Sequence, residues 1–368
     1  MLSSYVDYSK NVTFEYVYQS SLNAYNLMNM KRFTSLLLMS YLTVFCFGQT
    51  GRVIENQVTL FSMEQEKDTI DFIIIDTTLT EKKPIFLWCQ GSLPSPLFCE
   101  VENYGNYFMG GGIVNFDYKA IARDYHLVVI SMPKIPVIAK KENLNHNYLY
   151  IQNSEFPNQF SNAYIEADYL QNYVKRASSV LKFLKKQIWV NDEKLVVAGH
   201  SQGTKVATKI SVQNKRVTHL GLFSANPFGR VDESIREARL DAQLGKISWE
   251  NADSIMKDNY EFYEQVNTKD SVTTNPGYKA WQSFSETFYD DWLILDIPIY
   301  LGYGTEDRAA DLCDIIPLFF IEKGKTNLTL KRYIGLEHSF FELTEEGSID
   351  YQKPHFKEVI DVFMNWVE

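Results

Sequence analysis

Residues 194–198, Lys-Leu-Val-Val-Ala, form an apolar run of strand type that passes through Gly199-His200-Ser201-Gln202-Gly203 into a helical pattern, Val206-Ala207-Thr208-Lys209-Ile210. No other stretch restricts the fold as tightly. A serine hydroxyl held clear of the backbone at a sharp strand-to-helix turn needs small residues two places to either side. A β-carbon at 199 or 203 would collide with the neighbouring turn. The amide of Gln202, opening the helix, then points to where an oxyanion would form.

The rest of the chain supplies a setting for such a turn. Residues 53–61 and 69–76 read as two strands joined by a charged turn. Residues 84–89 (Pro-Ile-Phe-Leu-Trp-Cys) and 126–131 are continuous apolar runs, as expected of strands buried on both faces. Further strands are expected at 220–224, 297–303 and 328–333. Helical spacing marks 116–123, 163–187 and 356–367, whereas 133–162 is irregular. From 226 to 291 charged and aromatic residues recur at helical spacing, which predicts a helical insertion lying over one end of the sheet. Strands alternating with helices predict an α/β fold, a mainly parallel central sheet flanked by helices.

A serine is a poor nucleophile until a base takes its proton, and the base must be held by a third group. In a parallel sheet such groups gather at the carboxyl ends of the strands. Asp307 follows the strand ending near Tyr303, with Glu306 as the fallback, while Asp296 lies at the wrong end of that strand. Of the six histidines, His338 is the one in a loop after a strand beyond Asp307. His126 and His219 open strands, His355 opens the last helix, His146 lies in the irregular segment and His200 belongs to the turn itself.

Gly199-His200-Ser201-Gln202-Gly203, Gly304-x-x-Asp307 and the His338 loop together resemble the α/β-hydrolases, whose chain order is nucleophile, acid, histidine. The resemblance runs from about residue 53 to the C-terminus and makes residues 49–368 one hydrolase domain, with 226–291 as a cap. It implies that Ser201 is the nucleophile, His338 the general base and acid, and Asp307 the group orienting it. It also implies an oxyanion hole of the Gln202 amide and one amide from the loop after the third strand. That loop usually reads His-Gly. Here it reads Gln90-Gly91-Ser92, which leaves Ser92 and Leu93 as candidates for the second donor. The implied reaction is acyl transfer to water and needs no metal or organic cofactor.

Composition narrows the partners. A net charge of -10, with no basic run interleaved with aromatics, argues against nucleic acid. Met30-Lys31-Arg32, the apolar stretch 33–47 and Cys46-Phe47-Gly48-Gln49 have the layout of a secretory signal peptide cleaved after Gly48. The true start is then Met30, residues 1–29 lie upstream of it, and no stable membrane span remains in the exported protein. An N-terminal membrane-anchored helix is the alternative. Beyond Cys46 the cysteines are Cys89, Cys99 and Cys313, too few for a disulfide framework; buried free thiols are expected, with a Cys89–Cys99 pair in an oxidising compartment as the alternative.

The expected protein is an exported serine hydrolase acting on a small-molecule carboxylic ester. Two alternatives stand beside it. One is a cap-type aminopeptidase or prolyl-type peptidase acting on a short peptide, with Glu233, Glu237 or Glu261 holding a free amine. The other is a non-catalytic binding protein on the same fold. Nothing in the sequence sets an oligomeric state.

Overall fold

Apolar residues on both faces of successive strands force a sheet covered on both sides, and the computed structural model has that architecture. It describes residues 51–65, 68–268 and 271–368. The expected signal peptide and upstream segment lie outside the described residues.

The strands, in chain order, are β1 Arg52–Ile54, β2 Val58–Gln65, β3 Asp68–Ile74, β4 Lys83–Cys89, β5 Phe98–Val101, β6 Gly105–Phe108, β7 His126–Ile130, β8 Ile138–Lys140, β9 Val190–His200, β10 His219–Phe223, β11 Ile299–Gly304, β12 Leu328–Tyr333, β13 Phe341–Leu343 and β14 Ile349–Pro354. Nine of them make one sheet in the order β1-β2-β3-β7-β4-β9-β10-β11-β12. β1, β2 and β3 run antiparallel at one edge, and β3 is antiparallel to β7. From β7 to β12 every pairing is parallel. All the ends that can carry a site therefore open on one rim.

Alternation along each strand splits the core in two. Ile85, Leu87, Leu195, Val197, Leu220 and Leu222 face helices Leu170–Leu184 and Gln202–Gln213. Phe86, Trp88, Val196, Ala198 and Phe223 face the closing helix Phe356–Val367. Between β10 and β11 the chain forms helices Val231–Gln243, Trp249–Asn267, Ser271–Thr274, Pro276–Phe284 and Tyr289–Ile294. Among the described residues no helix is long and apolar enough to cross a membrane.

Three expectations need correction. Residues 53–61 are not one strand but a hairpin, because Glu55 and Asn56 turn at φ of 51° and 50°. Residues 163–187 are not one helix. Asn162–Ala167 and Leu170–Leu184 are separated at Asp168 and Tyr169, whose backbones leave helical space, and Asp168 accepts the Tyr173 hydroxyl at 2.8 Å. The irregular stretch 133–162 holds β8, which joins β5 and β6 in a small sheet whose strands are too short to show a period. Cys89, Cys99 and Cys313 are buried free thiols.

Arg176 shows what burial of a charge requires here. On helix Leu170–Leu184 it is 2% exposed, forms an ion pair with Asp68 and donates to the Ser131 carbonyl at 3.1 Å. Burial raises the Asp68 pKa, but Lys134 and Arg176 outweigh that and hold it below its ordinary value. Arg176→Met should lower stability by roughly 2–3 kcal/mol, less than for a fully buried pair because Asp68 keeps Lys134 and some solvent. The check is the urea midpoint. The Asp68 contribution is present above its unfolded pKa and fades as pH falls through the folded one, so the gap between variant and wild type should narrow in acid.

Candidate active site

β9 ends at His200, and Ser201 turns the chain at φ 53°, ψ −125° into helix Gln202–Gln213. Such a backbone is costly for a residue with a β-carbon and persists only where its surroundings fix it. They do. The Ser201 amide donates to the Phe223 carbonyl at 2.9 Å. A β-carbon at Gly199 would lie 2.3 Å from the Gly203 carbonyl oxygen, and one at Gly203 would lie 2.1 Å from that of Cys89. The spacing of small residues in the sequence is thus demanded by backbone against backbone.

Asp307 and His338 arrive from the next two strand ends. A β-carbon at Gly304 would stand 2.0 Å from the Leu336 carbonyl oxygen, so the loop after β11 and the loop after β12 touch there. The Glu306 amide seals the contact by donating to Leu336 at 2.9 Å. Within this frame His338 Nδ1 is 3.0 Å from both carboxylate oxygens of Asp307, and Nε2 is 2.9 Å from Ser201 Oγ. With the proton on Nδ1, Nε2 is left to accept from the serine hydroxyl. Glu306 is exposed, and Asp296 faces solvent beside Lys325. Neither alternative acid reaches the histidine.

The electrostatics follow from burial and pairing. Asp307 is 3% exposed. Burial raises its pKa, but the hydrogen bond and charge of His338 outweigh this and hold it below the usual value. For His338 burial acts downward, and Asp307, with Glu233 and Glu337 beyond, lifts it above 6.5. Its ring is hemmed in by protein yet 36% accessible, because one face opens on the cavities described below.

Two residues that sequence reasoning did not select hold His338 by its backbone. His200 Nε2 is 2.8 Å from the His338 carbonyl oxygen, and Ser224 Oγ donates to the same oxygen at 2.7 Å. Burial, and next the neighbouring His338, push the His200 pKa to about 4, so it stays neutral and serves as a donor. Glu337 accepts the amides of Ser339 and Phe341 at 2.8 and 3.0 Å, closing the loop on itself. Of these only the place of His200 beside the serine was visible in the sequence; Ser224 carried no signal.

Ser201 and His338 lie between two cavities. One, of about 870 Å³, is lined largely by apolar groups, among them Leu93, Val101, Tyr107, Met109, Val114 and Tyr148. The other, of about 270 Å³, is polar, with Gln202, Lys205, Asn226, Arg230 and Glu233 in its wall. Ser92 borders both, and Leu93 only the apolar one. Gly91 packs on the turn, where a β-carbon would sit 4.0 Å from Ser201 Cβ, and among the described residues the Ser92 amide has no backbone acceptor. Glu233 alone of the three acidic residues expected to hold an amine lines the polar cavity; Glu237 does not, and Glu261 is exposed. Trp281 and Phe284, from helix Pro276–Phe284, complete that wall.

No protein-family model matches the sequence, and no curated protein matches it. Solved structures follow parts of its backbone. An acylaminoacyl peptidase of Pyrococcus horikoshii is similar over 88% of this chain, at 13% identity and a TM-score of 0.47, and the chain spans 42% of that protein's length. A membrane phospholipase A, a bacterial virulence factor, is similar over 96% of this chain and 97% of its own, at 12% identity and a TM-score of 0.47. A carboxylesterase of the thaumarchaeon Nitrososphaera gargenis is similar over 83% of this chain and 97% of its own, at 10% identity and a TM-score of 0.45.

The coupling of Asp307 to His338 is measurable without a substrate. In an NMR titration His338 should ionise above 6.5 and His200 near 4. Asp307→Asn should lower the His338 pKa from its wild-type value, since burial is then opposed only by the weaker pull of Glu233 and Glu337. The sign for stability runs both ways. The raised His338 stabilises the fold below its unfolded pKa and loses that contribution as pH rises through the folded one. The lowered Asp307 contributes above its unfolded pKa and loses it in acid. Wild type should therefore exceed Asp307→Asn most between about pH 4 and 6.5.

Proposed function

We propose that this chain, which has the α/β-hydrolase fold, is a serine hydrolase whose nucleophile is Ser201. One observation carries the reading: an unbroken series of hydrogen bonds, 3.0 Å from Asp307 to His338 and 2.9 Å from His338 to Ser201, opening on a cavity. Ser201 attacks a substrate carbonyl while His338 Nε2 takes its proton. Asp307 fixes the imidazole tautomer and stabilises the imidazolium. The tetrahedral oxyanion is met by the amide of Gln202 and that of Ser92 or Leu93. His338 then protonates the leaving group, and water, deprotonated by the same ring, releases the acyl group.

A carboxylic ester with a substantial apolar part is the substrate that the larger cavity supports. A peptide is the second reading, and it draws on Glu233, a partly buried carboxylate sharing the polar cavity with the serine and able to receive an amine. Fluorophosphonate labelling tests the common chemistry. Wild type should be labelled and Ser201→Ala should not, with kcat on p-nitrophenyl esters falling at least about a thousandfold. A folded wild type that takes no label would favour a binding protein. Faster turnover of aminoacyl-nitroanilides than of esters would favour the peptidase.

The same proposal puts the enzyme outside the cytoplasm, on the basic-then-apolar layout of residues 30–48. The N-terminal sequence of the protein recovered from the periplasm or medium should begin at Gln49; one beginning upstream of Met30 would overturn this.

A further inference from the structure

On the polar side of Ser201 two opposite charges face one small cavity without neutralising each other. Arg230 and Glu233 both line it, and among the described residues neither forms a salt bridge. The Arg230 guanidinium lies 5.0 and 5.7 Å from the ring centroids of Trp281 and Phe284, and its Nη2 donates to Gln202 Oε1 at 2.7 Å. Stacked in this way, it keeps its other N–H donors for a planar or tetrahedral anion. Gln202 is itself 6% exposed, and its side chain also helps to hold the buried Asp168 carboxylate in its charged form. Burial pushes the Glu233 carboxyl pKa up, while the nearby His338 acts the other way. Lys205 lines the same cavity but directs its Nζ to other partners. It is 6% exposed, and its Nζ donates to the Phe284 carbonyl and lies 4.9 Å from the Phe288 ring centroid.

Charges drawn out of water and left unpaired cost free energy, and a ligand bearing the complementary pair offsets it. Asp168 lies in the field of Arg230, and Lys205 and His338 in that of Glu233, but none forms a salt bridge with them, so a cation alone would leave Arg230 without a contact partner and an anion alone would leave Glu233 without one. Because Ser201 and His338 line the same 270 Å³, the bound group must abut the reacting carbonyl.

Resting on the hydrolase reading above, we infer that this cavity takes a zwitterionic group of the substrate, its anion on Arg230 and its ammonium on Glu233, while the apolar portion occupies the larger cavity. The shared chemistry, an ammonium and an anion on one amino-acid-sized group, is met by a carboxylate-bearing ester or by a phosphoethanolamine ester.

The test uses the full chain and four esters. These are O-octanoyl-homoserine, its carboxamide, its N-acetyl derivative, and octanoyl-glycerophosphoethanolamine. Wild type should prefer a zwitterion to the carboxamide and to the N-acetyl compound by at least about tenfold in kcat/KM, the size of one charge-assisted contact. Arg230→Met should bring the ratio to the carboxamide near one and keep the ratio to the N-acetyl compound. Glu233→Gln should do the reverse, and Arg230→Lys should retain part of the first ratio. Ratios within one variant cancel any general loss of activity, and thermal melts exclude unfolded variants. The faster of the two zwitterions identifies the anion as carboxylate or phosphate, and either outcome supports the inference. Ratios near one in wild type, or unmoved by both substitutions, would overturn it even if labelling of Ser201 succeeds. Conversely, saturation-transfer NMR should detect homoserine on Ser201→Ala and not on Ser201→Ala/Arg230→Met. That result would sustain the zwitterion site even if the protein proved not to hydrolyse esters.

Discussion

At Gly203 the backbone of the helix after Ser201 lies so close to the end of β4 that a single methyl group would intrude to 2.1 Å of the Cys89 carbonyl oxygen. Much of the site follows from that contact. It brings the loop 90–93 beside the serine and so fixes where its amides lie relative to that of Gln202. It also holds Ser201 at a φ of 53°, a strain on the order of 1–3 kcal/mol that the flanking strand and helix must absorb. Gly304 repeats the device one strand further along the rim, where the loops bearing Asp307 and His338 meet within 2.0 Å of a hypothetical β-carbon. Two glycines that permit backbone contact locate three side chains drawn from across the chain.

Backbone contact sets where the histidine loop begins, but not how its ring points. That is decided by the peptide of His338 itself, whose carbonyl receives the imidazole of His200 and the hydroxyl of Ser224. The arrangement depends on His200 staying neutral. A second imidazolium with its centroid 5.0 Å from that of His338 would oppose the positive charge that His338 acquires when it accepts a proton. Burial of His200 removes that conflict and leaves a donor. His200, adjacent in sequence to Ser201, thus supports His338 from behind without touching the Ser201 hydroxyl.

How much of this was legible in the sequence depends on what kind of physics wrote each feature. The strand–Gly199-x-Ser201-x-Gly203–helix pattern was readable because sterics leaves few alternatives at that turn. The buried strands were readable because each is apolar on both faces. Asp307 and His338 could be chosen by their positions after strands, and the structure brings both to Ser201. The hairpin at Glu55-Asn56 and the helix break at Asp168 were missed because local turns override a period that continues across them. The small sheet of β5, β6 and β8 was missed because strands of three or four residues cannot display a period. Ser224, Arg230 and Lys205 matter only through neighbours far away in the chain, and single-residue chemistry gives no sign of that.

Gln202 links these levels. Its main-chain amide opens the helix beside the serine, and its side chain accepts from Arg230 in the polar cavity. Any group drawn to Arg230 competes for, or tightens, the bond to Gln202 Oε1. The helices between β10 and β11 supply Trp281, Phe284 and Glu233 to the wall of that cavity. By fixing the guanidinium against two rings they set the orientation of the Gln202 side chain. On the proposed reading, the fit of a polar substituent and the stabilisation of charge at the carbonyl then meet at one residue.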